Sequence, residues 1–303
     1  MSQQNNDKPL DLLEAFKKRH SARTFQGQNL TQRQLDFISQ CIIEANHLDT
    51  PFHSPGVELD ITGPGLARFF MVSNEAGHIV LKIPINTDQS QPEENQKQQL
   101  LTLEQQQKID IAYKGQHLAM KLTQNHIDSV WLAGTYDEKE AERRFPGFKV
   151  PCSIAYGIES DTPHFALKMV KMIGVAPKPG QRLPFEQLFY DSDKKKAITE
   201  ADICSTEKVE NYPPFFADFV TSLRSGPSAG DRQPWRFVLC GNEVHLFDAR
   251  MSSFSPLDIG VALANLHLLA DIRGGSCNIE VRSPAPDASP LEGTYIATVV
   301  YPE

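Results

Sequence analysis

The chain has 303 residues, a formal net charge of -8 and 40% hydrophobic residues. That length and apolar content suit one large or two ordinary folded domains and exclude wholesale disorder. The acidic balance argues against a nucleic-acid binder, which would show a basic face, and no apolar run is long enough to span a membrane.

Met1 to Leu10 is polar and lacks the apolar run of a secretory signal, so a cytoplasmic location is expected. Leu10, Leu12, Leu13 and Phe16 share a helical face, which predicts a helix over 10–18. Thr31 can cap a second helix carrying Leu35, Ile38, Ile42 and Ile43, and Pro51 to Pro55 breaks the pattern. Strands are expected at Ala67 to Ser73 and His78 to Ile85. Asn86 to Gln99 is rich in Gln, Asn and Glu and reads as an exposed loop. A long helix follows over 103–126, then strands at Val130 to Leu132 and Val150 to Ile158.

The polar run Asp191 to Glu200 sets an internal boundary, giving halves 1–190 and 200–303. The second half reads as a helix at 212–224, strands at 235–240 and 244–247, a Leu/Ala-rich helix at 258–272, and strands at 278–282 and 295–300. Both halves therefore run helix, strands, long helix, strands. A duplicated α+β unit and a chance likeness account for that order equally well.

The five cysteines, Cys41, Cys152, Cys204, Cys240 and Cys277, are far apart and form no CxxC pair. Reduced, packed thiols are expected, with neither disulfides nor zinc. His117, His126, His245 and His267 are scattered without ligand spacing, so no metal is expected.

Two stretches stand out chemically. Arg19-His20-Ser21-Ala22-Arg23 puts two guanidiniums and a hydroxyl at a helix exit. Such groups suit a phosphate, but taken alone the run reads more readily as a solvated basic helix end. Gly226 to Trp235 (GPSAGDRQPW) offers small residues for close backbone approach. Ser228, Asp231 and Gln233 add polar groups for a ring edge, and Trp235 adds a large apolar surface. An ordinary loop with a core Trp is the competing reading.

Together, RHSAR and PSAGDRQPW resemble the motifs of the nitroreductase family of FMN-dependent oxidoreductases. In ordinary members both lie in one copy, and two chains form a dimer. Here RHSAR lies in the first half and PSAGDRQPW in the second, which resembles the fused two-copy branch. The resemblance implies an α+β nitroreductase-like fold, with two tandem half-units forming a dimer-like single chain, and it favours duplication. It implies one FMN drawing groups from both halves. It also implies NAD(P)H as a transient reductant, with hydride passing through flavin N5 to a small acceptor such as a nitroaromatic or quinone.

Residue by residue, Arg19 and Ser21 match positions that bind the FMN phosphate and ribityl chain, with His20 between them. Arg23 matches a basic position near the pyrimidine edge. Ala133 and Gly134, in Trp131-Leu132-Ala133-Gly134, match the turn facing flavin N5. Arg182, in Gly180-Gln181-Arg182-Leu183-Pro184, matches a late phosphate-gripping arginine. Pro227, Ser228, Ala229 and Asp231 match residues lining the ring. The flavin carries the chemistry, so no catalytic side chain is assigned.

Two departures stand out. Asp231 replaces the family's Asn, and Ile127-Asp128-Ser129 replaces a Gly-Leu-Gly run. They support an alternative, a nitroreductase-fold protein that has lost FMN and serves as a ligand-binding or interaction module. The expected partner is a small-molecule substrate, with no nucleic acid and no membrane. The fused halves make a monomer the expected state.

Overall fold

The computed structural model describes residues 8–27, 30–68, 71–85, 101–162, 182–204, 215–272, 275–287 and 289–302. Helix α1 (Leu12–Lys18) starts where the Asp11 side chain accepts from Glu14 N at 2.8 Å. Helix α2 (Gln32–Asn46) starts at a capping box between Thr31 and Gln34. Strands β1 (Glu58–Thr62) and β2 (Gly77–Pro84) follow, then the long helix α3 (Leu103–Gln124). Next come β3 (Asp128–Leu132), α4 (Glu138–Arg144) and β4 (Phe148–Gly157). The four strands form an antiparallel sheet in the order β1-β2-β4-β3.

The remaining described residues build a second sheet. Helix α5 (Phe185–Leu188) leads into β5 (Phe189–Asp191) and β6 (Lys196–Ala197). Helices α6 (Glu200–Cys204) and α7 (Phe216–Arg224) precede β7 (Trp235–Cys240) and β8 (Glu243–Asp248). Helix α8 (Ser255–Ile272), β9 (Asn278–Glu280) and β10 (Thr294–Val300) complete it. The strand order is β6-β5-β7-β8-β10-β9.

The orders β1-β2-β4-β3 and β7-β8-β10-β9 are the same path, antiparallel throughout. In each, a long helix enters between the second and third strands. The duplication left open by the order of elements is therefore visible in strand order. The described residues divide into two compact units, one of 8–85 and 110–162, the other of 101–109 and 182–302.

Residues 185–191 belong to the second unit, because β5 pairs in parallel with β7 and the Phe189 and Phe237 rings stack at 5.0 Å. The polar run after Tyr190, expected from composition as a boundary, is a turn between β5 and β6 in that sheet. The strand expected at 67–73 does not form among its described residues. Single bridges instead pin its ends, Ala67 to Tyr136 and Ser73 to Thr24. Several elements escaped the periodicity reading: β1, α4, α5, the short β5–β6 pair and α6. The Gln/Asn-rich stretch 86–99 lies outside the described residues, as do Gly180 and Gln181. Cys41, Cys152, Cys240 and Cys277 are free thiols. No helix among the described residues is long and apolar enough to cross a membrane.

In the first unit, Ala22, Phe25, Val80, Val130, Leu132 and Ala155 lie in one buried cluster. Helix α3 lies close over its sheet at Gly115, where an added Cβ would stand 2.9 Å from the Trp131 ring. In the second, α8 packs on β7, β8 and β10 and is buried along almost its whole length. A carboxylate on each long helix braces the loop before the first meander strand. Asp110 accepts from Phe52 N at 2.9 Å and Ser54 N at 2.8 Å, and Asp258 accepts from Ala229 N at 2.9 Å. Asp110 and Asp258 stand equally far from the last residue of their helices, Gln124 and Ile272.

Replacing Asp110 with Ala strands two amide donors in a protein interior. The expected loss of unfolding free energy is roughly 2–4 kcal/mol, and Asp110→Asn, which keeps one acceptor oxygen, should lose about half of that. Urea unfolding of the two variants checks this, and an unchanged midpoint for Asp110→Ala would remove the brace from the account.

Candidate functional site

In the first unit the candidate residues follow α1 and run along the edge strand β3. Ala22 N donates to Ser129 O at 3.2 Å, and Ser73 N donates to Arg23 O at 3.0 Å. The Arg19 to Arg23 segment is thus held by backbone bonds beside Asp128 and Ser129, the residues standing in place of a Gly-Leu-Gly run. Arg19 and Arg23 are half-buried, and His20 and Ser21 are exposed.

Two carboxylates meet this basic run. His20 Nε2 lies 2.6 Å from Glu159 Oε2, and its Nδ1 lies 3.1 Å from Lys18 O. Burial alone would lower the imidazole, but the Lys18 carbonyl and Glu159 outweigh it and raise it above its ordinary value. Asp128 accepts from Glu159 N at 2.8 Å, and burial raises its carboxyl. Ala133 is half-buried and Gly134 exposed, in the bend directly after β3.

In the second unit, Arg182, Pro227, Ser228, Ala229 and Asp231 are brought together around one loop. The loop is shaped by three left-handed residues, Gly230 (φ 60), Asp231 (φ 54) and Gln233 (φ 46). Only glycine takes that backbone without strain, so the two others must be held there. Gln233 supplies much of the hold. It is 0% exposed; its Oε1 accepts from Leu183 N at 2.6 Å and its Nε2 donates to Arg224 O at 3.0 Å. Its own N donates to Ser228 Oγ at 3.1 Å. The sequence reading offered Gln233 to a ligand, but the structure turns its carboxamide inward to hold the loop. Trp235 is fully buried, as a core Trp.

Arg182 donates to Gly226 O at 2.7 Å and to Ser225 O at 3.2 Å, and stands 3.5 Å from Asp231 Oδ1. Burial lowers its guanidinium, with Asp231 opposing and Arg224 adding to the effect. The Asp that replaces Asn thus comes with a cation opposite it. Asp258 was missed by the sequence reading. A lone carboxylate in the first turn of an otherwise apolar helix was the available signal, and Asp110 between Ile109 and Ile111 was its counterpart.

The donor set suits FMN in kind. Arg19, Ser21 and Arg23 are donors for a phosphate and ribityl hydroxyls. Asp231 can accept from a ring N–H, and Gly230 keeps the backbone open for a flat ring. Arg182, in the second unit, has two of its nitrogens already on carbonyls. No group of three His, Cys, Asp or Glu among the described residues could hold a metal ion.

The fold is shared over the full length with a structure described as a "putative nitroreductase" from Thermotoga maritima MSB8. The TM-score is 0.57 at 18% identity, covering 99% of this chain and 97% of that one. A nitroreductase family protein from Clostridium difficile 630 matches 54% of this chain and 92% of its own, at 17% identity and a TM-score of 0.38. One from Exiguobacterium sibiricum 255-15, described as in complex with FMN, matches 55% and 98%, at 13% identity and 0.40. No curated protein matches the sequence. The family model described as "Putative TM nitroreductase" matches residues 11–270, and the chain belongs to that family.

Burial pushes the Asp258 carboxyl up to about 7, with Asp248 adding and the Ala229 N–H and Arg232 opposing. An unfolded chain ionises such a group near 4, approximately. Between those values the folded state holds a proton that the unfolded state has lost, so stability falls as pH rises from about 4 to about 7. Asp258→Asn should flatten that slope, gaining on the order of 1–3 kcal/mol on the wild type between pH 5 and pH 7.5, approximately. Urea unfolding at both pH values tests this; equal slopes for the two proteins would place the titration elsewhere.

Proposed function

We propose that this nitroreductase family member binds FMN and acts as an oxidoreductase, taking reducing equivalents from NAD(P)H and passing them to a small acceptor such as a nitroaromatic or quinone. Bound FMN would supply the two-electron carrier. In the first unit the holding residues are Arg19, His20, Ser21, Arg23, Ala133 and Gly134. In the second they are Arg182, Pro227, Ser228, Ala229 and Asp231. Service of one flavin by both sets rests on the split motifs, not on any distance between the units.

The observation that carries this reading is the loop 228–233. Two non-glycine residues are left-handed there, Asp231 and Gln233; the buried Gln233 side chain anchors the loop, Asp258 holds it at Ala229 N, and Arg182 faces Asp231. Packing alone does not require a strained loop with so many polar supports. Within it, Ser228 and Asp231 would meet the ring edge, while Arg19 and Ser21 would bind the phosphate. The competing reading, a module without flavin, draws on Asp231 and on the carboxylates Asp128 and Glu159 beside the basic run. His20, raised by the Lys18 carbonyl and Glu159, offsets the Glu159 carboxylate and so leaves the charge of Arg19 and Arg23 less opposed, which favours the flavin reading.

The first test is the visible spectrum of purified protein after FMN is added and free flavin removed. Retained flavin absorption is expected, and colourless protein would favour the module. If flavin is retained, Asp231→Asn should raise its reduction potential or tighten its binding, because a carboxylate near the reduced, anionic ring repels it. A redox titration and a binding isotherm unchanged by the substitution would leave Asp231 without that role.

A further inference from the structure

The ladder between β7 and β8 continues past its last pair, Trp235 with Asp248, because Ala249 N donates to Pro234 O at 2.8 Å. That bond sets Ala249 beside Pro234, so that Arg250 follows directly after the bonded pair on one side and Arg232 and Arg236 flank it on the other. Arg250 is close enough to Arg236 for the two charges to act on each other. Arg236 is half-buried and fixed, its Nη1 donating to Gln233 O at 3.1 Å and Trp235 O at 2.7 Å. Arg232 and Arg250 are exposed.

None of these three guanidiniums makes an ion pair among the described residues. The carboxylates around them are directed elsewhere. Asp248 accepts from Arg250 N at 2.9 Å and Met251 N at 3.1 Å, Asp258 accepts from Ala229 N, and Asp231 faces Arg182. Asp248 offsets part of the charge at Arg236, while Arg250 and burial act against it. In a chain of net charge -8, three arginines that make no ion pair among the described residues, and that Asp248 and Asp258 offset only from a distance, are a local excess that an anion would relieve. Guanidinium forks match phosphate and carboxylate oxygens in shape as well as charge.

We propose that Arg232, Arg236 and Arg250 form an anion subsite beside the 228–233 loop, which takes the phosphate or carboxylate group of the substrate that meets the flavin. This rests on the FMN reading for the substrate's role, but the subsite stands on its own residues. Two sources share the chemistry: the ribose 2′-phosphate of a reduced dinucleotide, and a carboxylate on the electron acceptor.

Calorimetric titration of the full-length protein, with its flavin content recorded, separates them. The probes are 2′,5′-ADP against 5′-AMP, and benzoate against benzamide. The anionic probe of at least one pair should bind about tenfold more tightly than its partner, a ratio that one or two charge-assisted hydrogen bonds supply. Arg232→Ala and Arg250→Ala, both at exposed positions, should each remove most of that preference, with unfolding midpoints showing that the fold is intact. Discrimination within the ADP pair assigns the subsite to the electron donor, and within the benzoate pair to the acceptor. No discrimination in either pair, or one that both variants retain, overturns the proposal. Discrimination by protein that retains no FMN would keep the subsite and overturn the flavin reading instead.

Discussion

The structure depends on a carboxylate buried in the long helix that lies on each sheet. In each unit a loop crosses from a helix to the first strand of a meander, and its amides have no helix or strand to donate to. Asp110 and Asp258 supply the missing acceptor from the helix that lies on the sheet. The two braces are not equal. Asp110 takes two amides, whereas Asp258 takes one and is pushed toward its neutral form by burial. The less satisfied carboxylate holds the loop with the left-handed residues, so strain and the weaker brace coincide where the candidate ligand groups are.

Charge is arranged differently in the two units. In the first, a basic run is met by acids, and the contact between His20 and Glu159 keeps the imidazole protonated to higher pH than in water. In the second, Asp231 is opposed by Arg182, while the arginines at the mouth of β7 make no ion pair among the described residues. An acidic protein thus concentrates cationic groups near the residues that carry its family motifs. Such local fields, more than net charge, decide which small molecules reach a site.

Much of this was legible in the sequence, for identifiable reasons. The helices at 12–18, 32–46 and 103–124 announce themselves through Asp11, Thr31 and regular apolar spacing, and β2, β4, β7, β8 and β10 through apolar runs. The run 67–73 misled because, among its described residues, Val72 and Ala67 pack into the buried cluster without joining a ladder. Strand β1 was hidden because Glu58 and Asp60 break the apolar pattern to pair with Lys82, a partner distant in sequence. At the site, the motif residues were visible individually. The inward turn of Gln233 and the pairing of Arg182 with Asp231 were not, since both depend on contacts across some fifty residues of chain.

The parallel strand β5 bears on how the chain acquires its shape. Both meanders close one long-range contact, β2 with β4 and β8 with β10, after local hairpins have formed. Among the described residues, the second unit alone adds a parallel partner strand, whose residues are made well before β7 exists. Parallel pairing requires the whole crossover, including α6 and α7, to be gathered first, at a loss of chain entropy that no local hairpin incurs. During synthesis the first sheet can be complete while β5 and its stacked Phe189 still wait for Phe237. The half with the motif loop is therefore the later to form, and the one that passes longest through states with an uncovered strand edge.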